Sequence, residues 1–125
     1  MRKVGFEMAA QGMTKDVMDR AITDALECSR ICEETLAYCL RQGGRHTEAE
    51  HIKLMVDCAE ICRTAAAFMG RGSRYNAEIS RICAQICQAC AVDCAQFSGD
   101  EQMMRCAEQC RRCADSCTQM AAVTV

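Results

Sequence analysis

Cysteine is the residue in this sequence with the greatest capacity for chemistry, since it accounts for 13 of the 125 residues. Eight cysteines repeat the spacing C-x3-C-x2-C-x3-C, once at Cys83, Cys87, Cys90 and Cys94 and again at Cys106, Cys110, Cys113 and Cys117. The other five are Cys28, Cys32, Cys39, Cys58 and Cys62. Steps of three and four residues place side chains on one face of an α-helix. The spacing therefore predicts rows of thiols, which can bind metal ions, form disulfides or fill a core.

The elements that would carry these rows are four helices. The sequence has no proline, and glycines at Gly43, Gly70 and Gly99 separate the segments. We predict helices over residues 14–41, from a capping-box pattern at 47–50 to residue 70, over 73–97, and from a start signal at 98–101 to residue 120. Residues 1–13 form an N-terminal extension whose structure the sequence leaves open. Short connections favour antiparallel neighbours, so residues 14–125 are predicted to form one all-α domain, an antiparallel up-down-up-down four-helix bundle.

The predicted bundle has a cysteine-lined core. Each helix carries a C-x3-C pair at positions that bundles usually fill with leucine, and the whole chain has four leucines. Antiparallel alignment then predicts four level layers along the bundle axis. These layers are Cys28/Cys62/Cys83/Cys117, then Cys32/Cys58/Cys87/Cys113, then Cys90/Cys110 with Thr35 and Met55, and last Cys39/Cys94/Cys106 with His51.

Metal ions explain such a core better than disulfides do. Neighbouring side chains along a helix have Cβ atoms about 5 to 6 Å apart, whereas a disulfide needs about 3.5 to 4.5 Å. Two metal–sulfur bonds of about 2.3 Å span that gap. A core of small thiols would also pack poorly by itself, because each leucine replaced by cysteine costs on the order of 1 kcal/mol or more. The rows therefore predict a ladder of metal-binding thiolates.

Softness and charge indicate which metal the ladder binds. Thiolates select Cu(I), zinc or iron–sulfur clusters. A monovalent ion that displaces one thiol proton leaves the interior neutral, whereas zinc held by four thiolates leaves about two negative charges per site. Cu(I), at up to about one ion per cysteine, therefore fits best. A zinc or other soft-metal sponge stays open as the alternative, because softness does not exclude it.

Both ends of the predicted ladder carry other soft ligands. His51, Met55 and Met103 lie on the inward arc at the end where Cys39 and Cys94 lie. Neutral imidazole and thioether bind copper more weakly than thiolate, so these residues are predicted to pass ions inward at a mouth. Core filling is an equally good reading of the two methionines. His46, in the adjoining loop, is predicted to be solvated. At the opposite end Met18, Met69 and Met120 are predicted to form an apolar plug.

Composition and spacing exclude several classes of protein. The charge of −2 and an aromatic content of 4% indicate no nucleic-acid or acidic membrane partner. There is no apolar run of about 18 residues and no signal-peptide pattern, and the cysteine number is odd, so we predict a cytoplasmic protein with reduced thiols.

The cysteine spacing also argues against other cysteine-based functions. Ferredoxin-type clusters use C-x2-C-x2-C followed by proline, which is absent. The C-x2-C pairs lie in mid-helix rather than at an activating helix start, so we predict no enzyme. A purely structural bundle is the remaining alternative.

The cysteine pattern resembles that of the bacterial copper storage proteins of the cytosolic type. The resemblance covers about residues 18–120 and is carried by the two C-x3-C-x2-C-x3-C rows, Cys28-x3-Cys32-x6-Cys39 and Cys58-x3-Cys62. It implies a four-helix bundle whose 13 cysteines bind Cu(I), with His51, Met55 and Met103 at the entry. It also implies a homotetramer. The sequence departs from the pattern of the cytosolic members in having fewer cysteines and fewer histidines at the mouth.

Overall fold

The protein is an antiparallel four-helix bundle, as the sequence predicts. The computed structural model describes the backbone of residues 2–123 and the side chains of residues 14–123. The helices are α1 (Arg2–Gln42), α2 (Ala49–Gly70), α3 (Asn76–Ala95) and α4 (Glu101–Ala122). Each helix packs on the next, and α4 packs back on α1, which closes the ring. Residues 2–123 contain no β-strand.

The start of the first helix differs from the expectation. α1 begins at Arg2, twelve residues before the predicted start at residue 14, so the N-terminal extension continues this helix. Proline and paired glycines mark helix ends in a sequence, and the extension has neither, so the sequence does not show where the helix begins.

The connection between α1 and α2 is a 3₁₀ turn, Gly44–Thr47, that the sequence did not predict. Gly43 and Gly44 take the left-handed φ values of 72° and 56°, which glycine adopts without a steric penalty. The Thr47 hydroxyl donates to the Gly44 carbonyl oxygen at 2.8 Å. The predicted capping box is therefore wrong, because Thr47 closes the turn and Glu48 occupies the N-cap without a side-chain hydrogen bond.

The start of α4 follows the sequence signal. Asp100 is the N-cap residue, and its side chain accepts a hydrogen bond from the backbone N–H of Met103 at 3.2 Å. α3 is shorter than predicted, because the chain between Arg71 and Tyr75 forms turns before the helix begins at Asn76. These short connections hold the helix ends close together at both ends of the bundle.

Cysteine, alanine and methionine make up most of the core. The largest fully buried side chains are Met55, Met69, Met103 and Met120, whereas Leu26 and Leu40 are more than half exposed. Met69 and Met120 lie at the end opposite His51, and Met18 is partly buried against the core. No helix within the described residues is long and apolar enough to cross a membrane.

Candidate metal centre

All 13 cysteines are buried in the bundle core with free thiols. Eleven of them form four groups in which every pair of sulfur atoms lies within 4.8 Å. The groups are Cys83/Cys113/Cys117, Cys28/Cys62/Cys87/Cys113, Cys28/Cys32/Cys58/Cys110 and Cys32/Cys90/Cys106/Cys110. Every group draws on more than one helix, so the four thiol rows meet on the bundle axis.

Contacts across the diagonal of the bundle show this convergence most directly. The Sγ atoms of Cys58 and Cys110 lie 3.9 Å apart, and those of Cys62 and Cys113 lie 3.8 Å apart. Both pairs join α2 to α4, which are diagonal partners rather than neighbours. The interior of the bundle is therefore a continuous column of sulfur, which we call the sulfur column and define by the four groups above.

The groups interlock rather than forming the level layers that the sequence predicts. Four sulfurs belong to two groups each, and these are Cys28, Cys32, Cys110 and Cys113. The predicted layers placed Cys28 beside Cys117, but its sulfur contacts that of Cys110 at 3.8 Å. Likewise Cys32 contacts Cys106 and Cys110, each at 3.9 Å, instead of Cys113.

The error lies in the offset between α1 and α4. Residue spacing fixes which face of a helix carries thiols, but it does not fix how far one helix slides along another. Helices joined by a short turn have that offset set by the turn, so α3 and α4 keep the predicted neighbours Cys83 and Cys117. No short turn joins α1 to α4. There Thr35 lies beside Gln102, whose side chain donates to the Thr35 hydroxyl at 2.9 Å.

Sulfur separations in the column suit bridging ions. The closest Sγ pairs include Cys62 and Cys87 at 3.4 Å and Cys28 and Cys32 at 4.0 Å, and all pairs within a group lie within 4.8 Å. Two metal–sulfur bonds of about 2.3 Å that meet at about 120° hold their sulfurs roughly 4.0 Å apart. A soft ion can therefore sit between neighbours after small side-chain movements, whereas a disulfide bond of about 2.05 Å would require much larger ones.

Contacts between neighbouring thiols, together with burial, raise the pKa of most of these cysteines. Contacts with Cys106 and Cys110, together with burial, raise the pKa of the Cys32 thiol. Neighbouring thiols lower the pKa at three other cysteines. The largest cause is a hydrogen bond from Cys110 at Cys58 and at Cys106, and a hydrogen bond from Cys117 at Cys113. Each group contains one of these three residues, and the group with Cys117 also contains Cys83, whose pKa is lowered as well, so every group has at least one thiol that is easier to deprotonate. A cation that binds a group displaces protons from the rest.

One end of the sulfur column carries the mixed ligands that the sequence predicts for a mouth. The Nε2 atom of His51 lies 3.3 Å from the Sγ atom of Cys39, and the Sδ atom of Met103 lies 3.7 Å from the same sulfur. The Sδ atom of Met55 lies 3.5 Å from the sulfur of Cys94 and 3.6 Å from that of Cys90. Cys39 and Cys94 are the two cysteines outside the four groups, and both contact these weaker ligands, while the sulfur of Cys94 also lies 4.0 Å from that of Cys90.

Two carboxylates at this end of the column were missed by sequence reasoning. The Nδ1 atom of His51 forms a short hydrogen bond with Oδ2 of Asp93. The Nε2 atom of His46 lies 2.9 Å from Oδ2 of Asp100, which also accepts a hydrogen bond from the Tyr38 hydroxyl at 2.8 Å. Both aspartates lie off the thiol rows, so periodicity gave no signal. For Asp100 the sequence predicts only a place in a helix start.

Phe97 lies between the two histidines. Its ring centroid is 4.5 Å from that of His46 and 4.9 Å from that of His51, and the Arg45 guanidinium lies over the ring at 4.7 Å. His46 has one fifth of its side chain exposed. The imidazole is therefore less exposed than the solvated histidine that the sequence predicts, because it contacts Asp100 and Phe97.

Comparisons with known proteins point to one family. A family model described as "Copper storage protein" matches residues 14–122. A protein of Nitrosospira multiformis has a crystal structure with 40% sequence identity and a TM-score of 0.83, and the match covers 88% of this chain and 99% of that one. The Cu(I)-bound copper storage protein BsCsp3, from Bacillus subtilis, matches with 32% identity and a TM-score of 0.79, over 85% and 99% of the two chains.

Two further relatives extend the comparison. A cytosolic copper storage protein from Streptomyces lividans, solved during copper loading, has 29% identity and a TM-score of 0.79, with 91% of this chain and 99% of that one covered. An uncharacterised cysteine-rich protein of Bacillus subtilis is 33% identical over 65 residues. That last match covers 52% of this chain and 60% of the relative, so it spans less than two thirds of that protein's length.

Proposed function

This chain belongs to the copper storage protein family, and we propose that it stores Cu(I) in its sulfur column. The observation that carries the proposal is the convergence of eleven buried cysteines into four interlocking groups on one axis. Isolated sites would need one set of ligands for each ion. Shared sulfurs such as Cys28 and Cys110 instead allow each thiolate to bridge two ions, so that many ions fit into one narrow core.

Charge favours Cu(I) over zinc as the cargo. Among the described residues, the buried side chains include no lysine or arginine that could balance extra negative charge, and the buried histidine, His51, is paired with Asp93. Loading one monovalent ion per thiolate leaves the column neutral, whereas tetrahedral zinc sites would concentrate negative charge in a low-dielectric interior. Zinc is the rival cargo, since the sulfur separations also suit it.

The mouth supports a proposed entry route. We assign all 13 cysteines as copper ligands, with His51, Met55 and Met103 as weaker ligands at the entry. The thioethers and the imidazole each lie within 3.7 Å of a cysteine sulfur, so an ion bound there is already next to a thiolate. Ligand strength rises inward from this end, which favours movement of Cu(I) into the column.

The remaining parts of the proposal concern setting and assembly. A relative is described as cytosolic, and a reduced compartment keeps buried thiols available, so we place this protein in the cytoplasm. The thiols are buried around the bundle axis as ligands, and the family to which the chain belongs is one of copper storage proteins, so the role proposed here is storage rather than catalysis. The homotetramer implied by the family resemblance stays a prediction.

Titration of the reduced protein with Cu(I), without oxygen and in the presence of a competing Cu(I) chelator, tests the proposal. We expect uptake to continue to about one ion for each of the 13 cysteines. Saturation at two to four equivalents would contradict a filled column. A parallel titration with zinc separates the two cargoes, because zinc that outcompeted Cu(I) for the same thiols would assign the column to zinc.

A further inference from the structure

We propose that Asp93 is a positioning residue that holds His51 with its Nε2 atom toward Cys39, so that Nε2 and the Cys39 sulfur together receive Cu(I) at the mouth. The inference rests on the proposed storage function and adds a residue that the cysteine pattern does not reveal. Its basis is a chain of contacts that runs from α3 through the imidazole on α2 to a thiol on α1.

The hydrogen bond to Asp93 selects one imidazole tautomer. An ionised carboxylate only accepts hydrogen bonds, so the contact between Asp93 Oδ2 and His51 Nδ1 places the proton on Nδ1. The neutral ring then has its lone pair on Nε2, which lies 3.3 Å from the Cys39 sulfur. In the metal-free protein the thiol can donate to Nε2. When Cu(I) arrives, the thiol proton passes to the buffer and both lone pairs become available to the ion.

Burial and packing hold the His51 imidazole in one orientation. His51 is 5% exposed, while Asp93 is 27% exposed, so the imidazole is enclosed and the carboxylate reaches the surface. The Phe97 ring packs on the imidazole with a centroid distance of 4.9 Å. In this orientation the other tautomer, with its proton on Nε2, would turn a lone pair on Nδ1 toward the Asp93 carboxylate, which pairs two acceptors. Partner groups of this kind commonly fix the tautomer of a metal-binding histidine, and their loss typically costs about 10- to 100-fold in metal affinity.

The other carboxylate at the mouth does not compete for this role. Asp100 is occupied by His46, by the Tyr38 hydroxyl and by the backbone of Met103. Asp93 also directly precedes Cys94, so the residue that orients His51 belongs to the helical turn that carries the next ligand inward. A purely structural role, in which Asp93 only ties α2 to α3, predicts a change in stability but none in the tautomer.

The test compares Asp93→Ala with Asp93→Asn, and uses Asp115→Ala, at an exposed carboxylate on α4, as the control. Long-range ¹⁵N NMR reads the tautomer of His51 directly, and His46→Ala assigns the two histidines. In the metal-free wild-type protein we expect a protonated Nδ1 and an unprotonated Nε2. Asp93→Ala should give a mixture of tautomers, and Asp93→Asn, whose amide oxygen can still accept the hydrogen bond, should restore the single form.

Copper binding supplies the second readout. Addition of about one equivalent of Cu(I) should shift Nε2 of His51 in the wild-type protein, and Asp93→Ala should weaken uptake at the mouth about 10- to 100-fold while total capacity stays the same. An unchanged tautomer in Asp93→Ala would overturn the inference. So would a wild-type protein that binds many Cu(I) ions while the ¹⁵N shift of Nε2 of His51 stays the same. Failure of the wild-type protein to take up many ions would instead refute the storage function, and the metal-free tautomer would still be measured.

Discussion

The sulfur of Cys28 lies 3.8 Å from that of Cys110, although 82 residues separate the two in sequence. Cys28 also belongs to a second group, with Cys62, Cys87 and Cys113. One side chain of helix α1 therefore contributes its sulfur to two neighbouring groups of the column. This sharing distinguishes a continuous column from a stack of separate sites.

Removal of a shared sulfur should cost more capacity than removal of a terminal one. Cys28→Ala takes a ligand from two groups, whereas Cys117→Ala takes one from a single group at the end opposite His51. We expect Cys28→Ala to lose about two ions and Cys117→Ala about one, measured by metal analysis after loading and gel filtration. Equal losses in the two variants would indicate independent sites.

The two histidines should behave differently. His51→Ala removes the nitrogen that lies 3.3 Å from the Cys39 sulfur, so uptake from a chelator should slow several-fold in stopped-flow measurements. His46→Ala removes a contact to Asp100 and none to sulfur, so it should leave the rate within about twofold of wild type. Slower uptake in His46→Ala than in His51→Ala would reverse the assignment of the entry ligand.

Metal-free protein should lose stability at high pH. Burial, followed by the charges of Cys106, Asp100 and Asp93, raises the pKa of the Cys39 thiol to about 11, against about 8.5 for an unfolded thiol. The folded state thus holds a proton that the unfolded state releases, so this stability is complete below about pH 8.5 and is lost as the pH rises toward 11.

Denaturant unfolding of the reduced protein at a series of pH values measures this effect. Cys39→Ala is the comparison, because it removes one of the protons released on unfolding and should make the fall in stability shallower. A fall that is equally steep in the variant would contradict the raised pKa of this thiol.

Copper should stabilise the fold strongly. The metal-free core holds small thiols where a bundle usually holds leucine, and ions that bind only the folded state add their binding free energy to its stability. We expect the melting temperature to rise with each added equivalent of Cu(I). A melting temperature that does not change when Cu(I) is added would favour the alternative that the bundle is purely structural.

The sequence predicts the architecture well, because thiol spacing and glycine positions report local geometry. The inward direction of Cys83 and Cys87 follows from a helical period, and the end of α2 at Gly70 follows from a breaker. Properties that depend on two distant segments were not accessible. The offset of Cys28 against Cys110 and the approach of Asp93 to His51 arise from packing between helices, for which no short-range pattern exists.

The most direct test of the copper column is a crystal structure of the Cu(I)-loaded protein with anomalous diffraction at the copper edge. We expect a line of copper peaks along the bundle axis, with the sulfurs of Cys28, Cys32, Cys110 and Cys113 each bridging two ions. Copper confined to the mouth or the surface, with the inner thiols unligated or joined as disulfides, would contradict it.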